Sequence, residues 1–170
     1  MKLEELKCIN HDNDLNEYLK FYKYVKDNMQ HPEWLGEFTK EELEYILKND
    51  GKLFNYYNDK DLVCSVLYIP SNNKTLIKHK INYDESIVGS CGPIMVNPKY
   101  VGNGLQKQML NMLDNYCSSI NKKYIFTKIH PDNIYSIKNF ENDGYVFIEQ
   151  YGAKDGIRNC YLKNIFGNKI

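Results

Sequence analysis

The sequence predicts a mixed α/β domain, and three observations carry that prediction. Apolar residues recur at helical spacing in some segments and run or alternate as strands in others. The two kinds of segment interleave with no linker, repeat or low-complexity tract between them. At 170 residues the chain is long enough to bury a real core as one unit, so residues 1–170 read as a single domain.

Residues 4–9 read as a short first strand. Asp12 or Asp14 can cap a helix whose apolar face is Leu15, Tyr18, Leu19, Tyr22, Val25 and Met29. The segment His31-Pro32-Glu33-Trp34-Leu35-Gly36 interrupts it. Thr39 and Glu42 then form a capping-box pattern, and Leu43, Ile46 and Leu47 carry a second helix up to Gly51. Lys52–Tyr57 and Leu62–Ile69 read as a hairpin around Asn58-Asp59-Lys60-Asp61. Residues 70–86 are polar and ambiguous, with Thr75–Lys80 open to a short helix.

Ser86–Val96 contains the next strand, with Gly92-Pro93 inside it. Proline cannot donate to a ladder, so a bulge or a splayed, unpaired stretch is predicted there. After Asn97-Pro98 a helix opens at about Gly102 to Gly104 and runs to about Ile120 through Leu105, Met109, Met112, Leu113 and Tyr116. Tyr124–Ile129 is a strand. Ile134 to Asn142 is a short helix ended by Asp143-Gly144. Tyr145–Gln150 and Asn159–Asn164 close the chain as strands, with Gly152 and Gly156 in their connection. The predicted order is β-α-α-β-β-β-α-β-α-β-β.

Composition removes several function classes. Lysine plus arginine and aspartate plus glutamate both count 22, so there is no basic balance of the kind a general nucleic-acid binder needs. The five cysteines, Cys8, Cys64, Cys91, Cys117 and Cys160, lie far apart with no C-x-x-C pair, which argues against a zinc site, and no metal is expected. Their odd number and the charged start Met1-Lys2-Leu3-Glu4-Glu5 point to a reducing, cytoplasmic setting. No apolar run approaches the roughly 20 residues of a membrane span.

The chemistry concentrates at Val96-Asn97-Pro98-Lys99-Tyr100-Val101-Gly102-Asn103-Gly104-Leu105-Gln106. Strand, glycine loop and helix N-terminus together make a site for phosphate. First-turn N–H groups lack helical partners, the macrodipole is positive there, and glycine admits φ > 0 and close approach. A P-loop would continue G-K-[ST], whereas Gly104 is followed by Leu105-Gln106. A Rossmann fingerprint would fall early in a βαβ unit, and here three antiparallel-looking strands precede the glycines.

The pattern resembles the GNAT N-acetyltransferase family. Val96-x-Pro98-x-Tyr100-Val101-Gly102-Asn103-Gly104-Leu105-Gln106 is similar to its acetyl-CoA pyrophosphate loop, usually Arg-Gly-x-Gly-[Ile/Leu]-[Gly/Ala]. Pro131-x-Asn133-x-x-Ser136-x-x-x-Phe140-x-x-x-Gly144-Tyr145 is similar to its Asn-x-x-Ala-x-x-x-Tyr-x-x-x-Gly-Phe segment. The element order, with two helices after the first strand, matches as well. The resemblance implies a mixed, mostly antiparallel sheet flanked by helices and splayed between its fourth and fifth strands.

It also implies acetyl transfer from acetyl-CoA to an amine of a small molecule or peptide, by direct attack. Amides from Val101, Gly102, Asn103, Gly104, Leu105 and Gln106 would hold the pyrophosphate. Backbone groups of Met95 and Val96 would pair with the pantetheine arm, with Asn133 and Ser136 on the far side of the splay. The Met95 N–H is the expected oxyanion donor. The family often shapes its acceptor site with the loop between the first two helices, which here carries His31, Glu33 and Trp34.

Two departures stand out. Val101 replaces the family arginine, and Phe140 stands where a tyrosine often protonates the leaving thiolate. Tyr135, Tyr151 and Tyr161 are the candidate replacement acids, and Tyr151, with Glu33 and Trp34, is also a candidate substrate contact. Arg158, the single arginine of the chain, is a candidate contact for a substrate carboxylate or else a surface ion pair. Cys91 reads as an inert buried thiol and His130 as a strand end. The rival readings are a catalytically weak CoA-binding module with a regulatory role and an interaction domain that binds no CoA. A monomer or a homodimer fits the sequence equally.

Overall fold

The structure, a computed structural model, describes residues 1–9 and 15–167. The expected cap at Asp12 or Asp14 lies outside the described residues. Seven strands form one sheet: β1 Lys7–Ile9, β2 Lys52–Asn58, β3 Asp61–Pro70, β4 Val88–Val96, β5 Tyr124–Ile129, β6 Val146–Ala153 and β7 Gly156–Asn164. Their spatial order is β1-β2-β3-β4-β5-β7-β6. Every neighbouring pair is antiparallel except β4 and β5, which are parallel. Among the described residues five α-helices flank the sheet: α1 Leu15–Asp27, α2 Lys40–Lys48, α3 Asn73–Lys78, α4 Leu105–Ser119 and α5 Ile134–Asn142.

The helices sit where local chemistry puts them. The Thr39 side chain accepts from the Glu42 N–H at 3.1 Å, and Glu42 Oε2 accepts from the Thr39 N–H at 2.8 Å, completing the capping box that opens α2. On α1 the buried face is Leu15, Tyr18, Phe21 and Val25, so Phe21 joins the core and Leu19 and Tyr22 sit at its margin. Helix α3 starts two residues before the expected Thr75, because Asn72 caps it through Thr75 N at 2.9 Å. Helices α1 and α2 pack on one sheet face against Leu53, Leu67 and Met95. Helix α4 covers the other face with Leu105, Met109, Leu110 and Leu113 against Val66, Tyr68 and Ile125. Beside α1 and α2, α3 covers Val88 and Phe126 through Leu76.

The bulge predicted at Gly92-Pro93 is present. Val66 pairs with Ile94 but Tyr68 pairs with Cys91, so two residues of β4 oppose the single Leu67 of β3. The parallel pairing of β4 with β5 covers Val88–Cys91 against Tyr124–Thr127 and goes no further. Beyond it β4 stays with β3, and β5 stays with β7 through Ile129 and Asn159. The sheet is therefore splayed between β4 and β5. The connection expected around Gly152 and Gly156 is shorter than the sequence indicated. Both residues belong to strands, and a tight turn at Lys154-Asp155 joins β6 to β7.

Candidate active site

The splay opens into a continuous cleft of about 1030 Å³. It runs from the N-terminus of α4, between β4 and β5, to the α1–α2 loop, the β6–β7 turn and α3. That volume suits a small-molecule site with room for two reactants.

At one end Gly102 and Gly104 have φ of +91° and +66°, as a loop turning directly into a helix requires. A Cβ built on either glycine would meet nothing within 4 Å, so the space above the loop is open. The Gln108 N–H donates to Gly104 O at 3.2 Å to open the helical ladder of α4, which leaves the preceding first-turn amides for a ligand. Asn97 anchors the loop from below. Its Nδ2 donates to Leu62 O at 3.0 Å, its Oδ1 accepts from Lys99 N at 3.0 Å, and it is 7 % exposed. Val101, Gly102, Gly104, Leu105 and Gln106 line the cleft, whereas Asn103 turns its side chain back to Tyr100 O. The Gln106 amide also has another partner: Nε2 donates to Ser136 Oγ at 3.2 Å and Oε1 accepts from Asn139 at 2.6 Å. It fastens α4 to α5 across the mouth of the splay.

Along the splay, backbone direction is set by one bond. The Asn97 N–H donates to Val63 O at 2.8 Å. Amides on a strand alternate sides, so the Met95 N–H, opposite Ser65, also points at β3. The N–H groups of Ile94 and Val96 point the other way, into the splay. This corrects the assignment of the oxyanion donor to Met95, whose amide belongs to the ladder. The Met95 side chain, 1 % exposed, packs against the α1–α2 face. Across the gap, Asn133 caps α5 by accepting from Ser136 N at 3.1 Å, so its Nδ2 takes no part in the cap. Asn133 and Ser136 both line the cleft.

Phe140 is 3 % exposed and forms part of the cleft wall, edge-on to Tyr145 at 4.9 Å. Of the three candidate acids, Tyr161 is 3 % exposed, packs on Phe147 and lies outside the cleft lining, while Tyr135 and Tyr151 line it. Burial raises the Tyr151 phenol, which stays protonated. Burial also pushes the Cys91 thiol far above its ordinary value, and an unionised thiol is no nucleophile. His130 Nδ1 accepts from Asp132 N at 3.2 Å. In the neutral ring its proton then sits on Nε2, which cannot serve as a base.

At the opposite end of the cleft, Arg158 is 4 % exposed rather than a surface residue. It donates through Nη2 to Glu33 O at 3.1 Å and to Asp155 Oδ2 at 3.1 Å. Asp155 Oδ2 also accepts from Glu37 N at 3.0 Å. Burial would raise the Asp155 carboxyl, but these donors outweigh it and hold it below its ordinary value. Arg158 therefore clamps the β6–β7 turn to the α1–α2 loop. Trp34 lines the cleft, stacked on His31 at 4.3 Å, and the Glu33 side chain faces His31 Nδ1 at 3.1 Å away from it. The sequence reading passed over Ile94, Lys78 and Lys128. Ile94 follows from parity once the register is known; the two lysines carry no local signal. Among the described residues no group of His, Cys, Asp or Glu could hold a metal ion, no helix is long and apolar enough to cross a membrane, and none of the five cysteines forms a disulfide.

The model of the acetyltransferase (GNAT) family matches residues 14–145, and the chain belongs to that family. Solved structures agree in fold across nearly the whole chain. An N-acetyltransferase from Staphylococcus aureus Mu50 superposes with a TM-score of 0.72 at 14 % identity, covering 95 % of this chain and 99 % of that one. A GNAT-family acetyltransferase from Streptococcus pneumoniae gives 0.68 at 15 % identity, over 94 % and 98 %. AAC(6′)-Ib, solved in complex with paromomycin and acetyl-CoA, gives 0.69 at 15 % identity, over 96 % and 97 %. No curated protein matches the sequence.

Proposed function

We propose that this protein is an acetyl-CoA-dependent N-acetyltransferase acting on the amine of a small molecule or peptide. One observation carries the reading. The glycine-loop amides and the outward N–H groups of Ile94 and Val96 lie along the same cleft, in the order that pyrophosphate, pantetheine arm and thioester follow one another in the cofactor. The open space over Gly102 and Gly104 fits a phosphate at the N-terminus of α4. The complex of AAC(6′)-Ib with acetyl-CoA, on the same fold, supports the choice of donor.

Acetyl-CoA held there supplies a thioester that an amine can attack. The chain's own groups do the rest. Val96 pairs with the arm as a strand would, and Asn133 Nδ2 faces it across the gap. The Ile94 N–H is the amide placed to donate to the carbonyl oxygen as charge develops on it. The attacking nitrogen must arrive neutral and then lose a proton, and the departing sulfur takes one up. With a thiol pKa near ~8.5, that sulfur needs less help than an alkoxide. Of the three candidate tyrosines, Tyr135 and Tyr151 line the cleft and are placed to assist it in the absence of a hydroxyl at Phe140. Trp34 and the Arg158-clamped loop bound the space where the amine enters.

Phe140 also favours a second reading, a CoA-binding module with little turnover. Thiol release measured across a broad panel of amines separates the two. The transferase reading expects release with at least one amine class, and slower release in Tyr135→Phe or Tyr151→Phe. Tight acetyl-CoA binding with no release for any amine would favour the module.

A further inference from the structure

The charges lining the cleft are not evenly compensated. Three carboxylates line it, and each has a cation of its own. Glu37 pairs with Lys26 at 2.8 Å, Glu42 with Lys154 at 2.5 Å, and Asp155 with Arg158 at 3.1 Å. Two further cations line the same cleft: Lys78, the last residue of α3, and Lys128 on β5. Among the described residues no carboxylate stands within ion-pair distance of either. Both ammonium groups instead hang over one aromatic ring. Lys78 Nζ is 5.5 Å and Lys128 Nζ 5.7 Å from the centroid of Tyr151. A cation over a ring face is held only weakly compared with a paired charge, and two like charges sharing the ring repel. Both lysines are exposed. Desolvation lowers the Lys128 ammonium below its ordinary value, the charge of Lys78 adds to that, and the more distant Asp155 carboxylate opposes it without pairing.

The position of the pair separates it from the phosphate site. Ile125 and Ile129 pack under α4, whereas Phe126 packs under α3 on the opposite sheet face. Side chains alternate along a strand, so Lys128 shares the side of Phe126, and its Nζ lies 5.9 Å from that ring. A pyrophosphate at the N-terminus of α4 is on the other face. The lysines border the half of the cleft where the α1–α2 loop and the β6–β7 turn admit the acceptor.

We propose that the acceptor is an amine bearing an anionic group, a carboxylate or a phosphate, which docks on the Lys78 and Lys128 ammonium groups, drawing them off the Tyr151 ring face, while its amine reaches the splay. The inference rests on the transferase reading for the word acceptor, but the anion site itself is read from geometry alone. A doubly charged anion gains from both lysines, and a monocarboxylate gains less. Polyamines, which would add positive charge beside two uncompensated ammonium groups, are disfavoured.

Isothermal titration of the whole protein, with and without coenzyme A, tests this. The probes are O-phosphoethanolamine, β-alanine, ethanolamine and putrescine. The expected result is that O-phosphoethanolamine, β-alanine or both bind at least about tenfold more tightly than ethanolamine, with putrescine weakest. The stronger of the two anionic probes identifies the anion. In Lys78→Met/Lys128→Met, checked for an unchanged melting temperature, that preference should vanish; the single variants should each lose part of it. Ethanolamine or putrescine binding as tightly as the anionic probes, or a preference that survives the double substitution, would overturn the proposal. Because the readout is amine binding, absence of thiol release with every amine would overturn the transferase reading and leave the anion site to stand or fall on the titration.

Discussion

The Asn97 N–H donates to the Val63 carbonyl at 2.8 Å, and this single bond fixes which amides of β4 face the splay. It turns Met95 toward β3 and leaves Ile94 and Val96 facing the cleft. Backbone esters test the assignment without adding bulk. Replacing residue 94 by its α-hydroxy acid removes one N–H from the splay, and kcat is expected to fall by ~10²–10³ with little loss of stability. The same change at residue 95 removes a ladder bond. It should cost about 1 kcal/mol in urea unfolding and leave kcat largely intact. The opposite pattern would return the role to Met95.

The Arg158–Asp155 pair holds the α1–α2 loop against the β6–β7 turn, and both side chains are largely buried, at 4 % and 13 % exposure. Asp155→Ala strands the guanidinium and also orphans the Glu37 N–H. We expect a loss of ~3–5 kcal/mol by chemical denaturation. Arg158→Met, which removes the charge but keeps the stem, should cost less. The double variant should cost less than the sum of the two singles. Additive losses would mean the pair does not act as a clamp.

The phosphate end is open to improvement. Val101 is 69 % exposed at the cleft margin, so Val101→Arg carries no folding penalty and adds a charge facing phosphate. Acetyl-CoA should bind several-fold more tightly in the variant, and the gain should shrink with salt. Gly104→Ala forces a side chain to φ of +66°. It should cost about 1–2 kcal/mol of stability and weaken binding. Titration calorimetry and thermal melts read both effects.

Phe140→Tyr adds a hydroxyl to the cleft wall at the position of the missing acid. The account expects kcat to rise, with the gain within the ~10²–10⁴ typical of a general acid. An unchanged kcat would mean that the leaving thiolate already has its proton donor.

His79 supplies a pH dependence. Its ring is fully buried, with Nδ1 3.2 Å from Glu149 Oε1. Burial lowers its pKa, only partly opposed by Glu149. The unfolded chain takes up this proton near ~6.5 and the folded chain only at lower pH. Stability is therefore full above about pH 6.5 and declines as pH falls through the folded value. Glu149, lowered by its bonds to His79 and Lys80, acts in the same direction at more acid pH. His79→Gln keeps a donor for Glu149 and should flatten the decline between pH 7 and 5.5 in melting temperature. An equally steep decline in the variant would assign it to other groups.

What the sequence made legible was local. The capping box at Thr39 and Glu42, the bulge at Gly92-Pro93 and the positive φ at Gly102 and Gly104 each follow from residues a few positions apart. The cofactor half of the site inherits that legibility, because a strand, a loop and a helix start are contiguous. The amide parity of Met95 was not legible, since it depends on the β3 register, which a bulge shifts. Arg158 looked like a surface or substrate residue because its partners, Glu33 and Asp155, meet only once the α1–α2 loop and the β6–β7 turn are folded together. Glycines at 152 and 156 suggested a long connection, but the actual turn is at Lys154-Asp155. Lys78 and Lys128 come from an ambiguous polar stretch and a separate strand, and tertiary packing alone brings them to one ring.

If the α4 loop and the β4–β5 splay hold acetyl-CoA, isothermal titration of the protein with acetyl-CoA must show it. The expected result is one site per chain with a dissociation constant in the roughly micromolar range, about −8 kcal/mol, weakened in Gly104→Ala. No heat of binding at millimolar acetyl-CoA would contradict it.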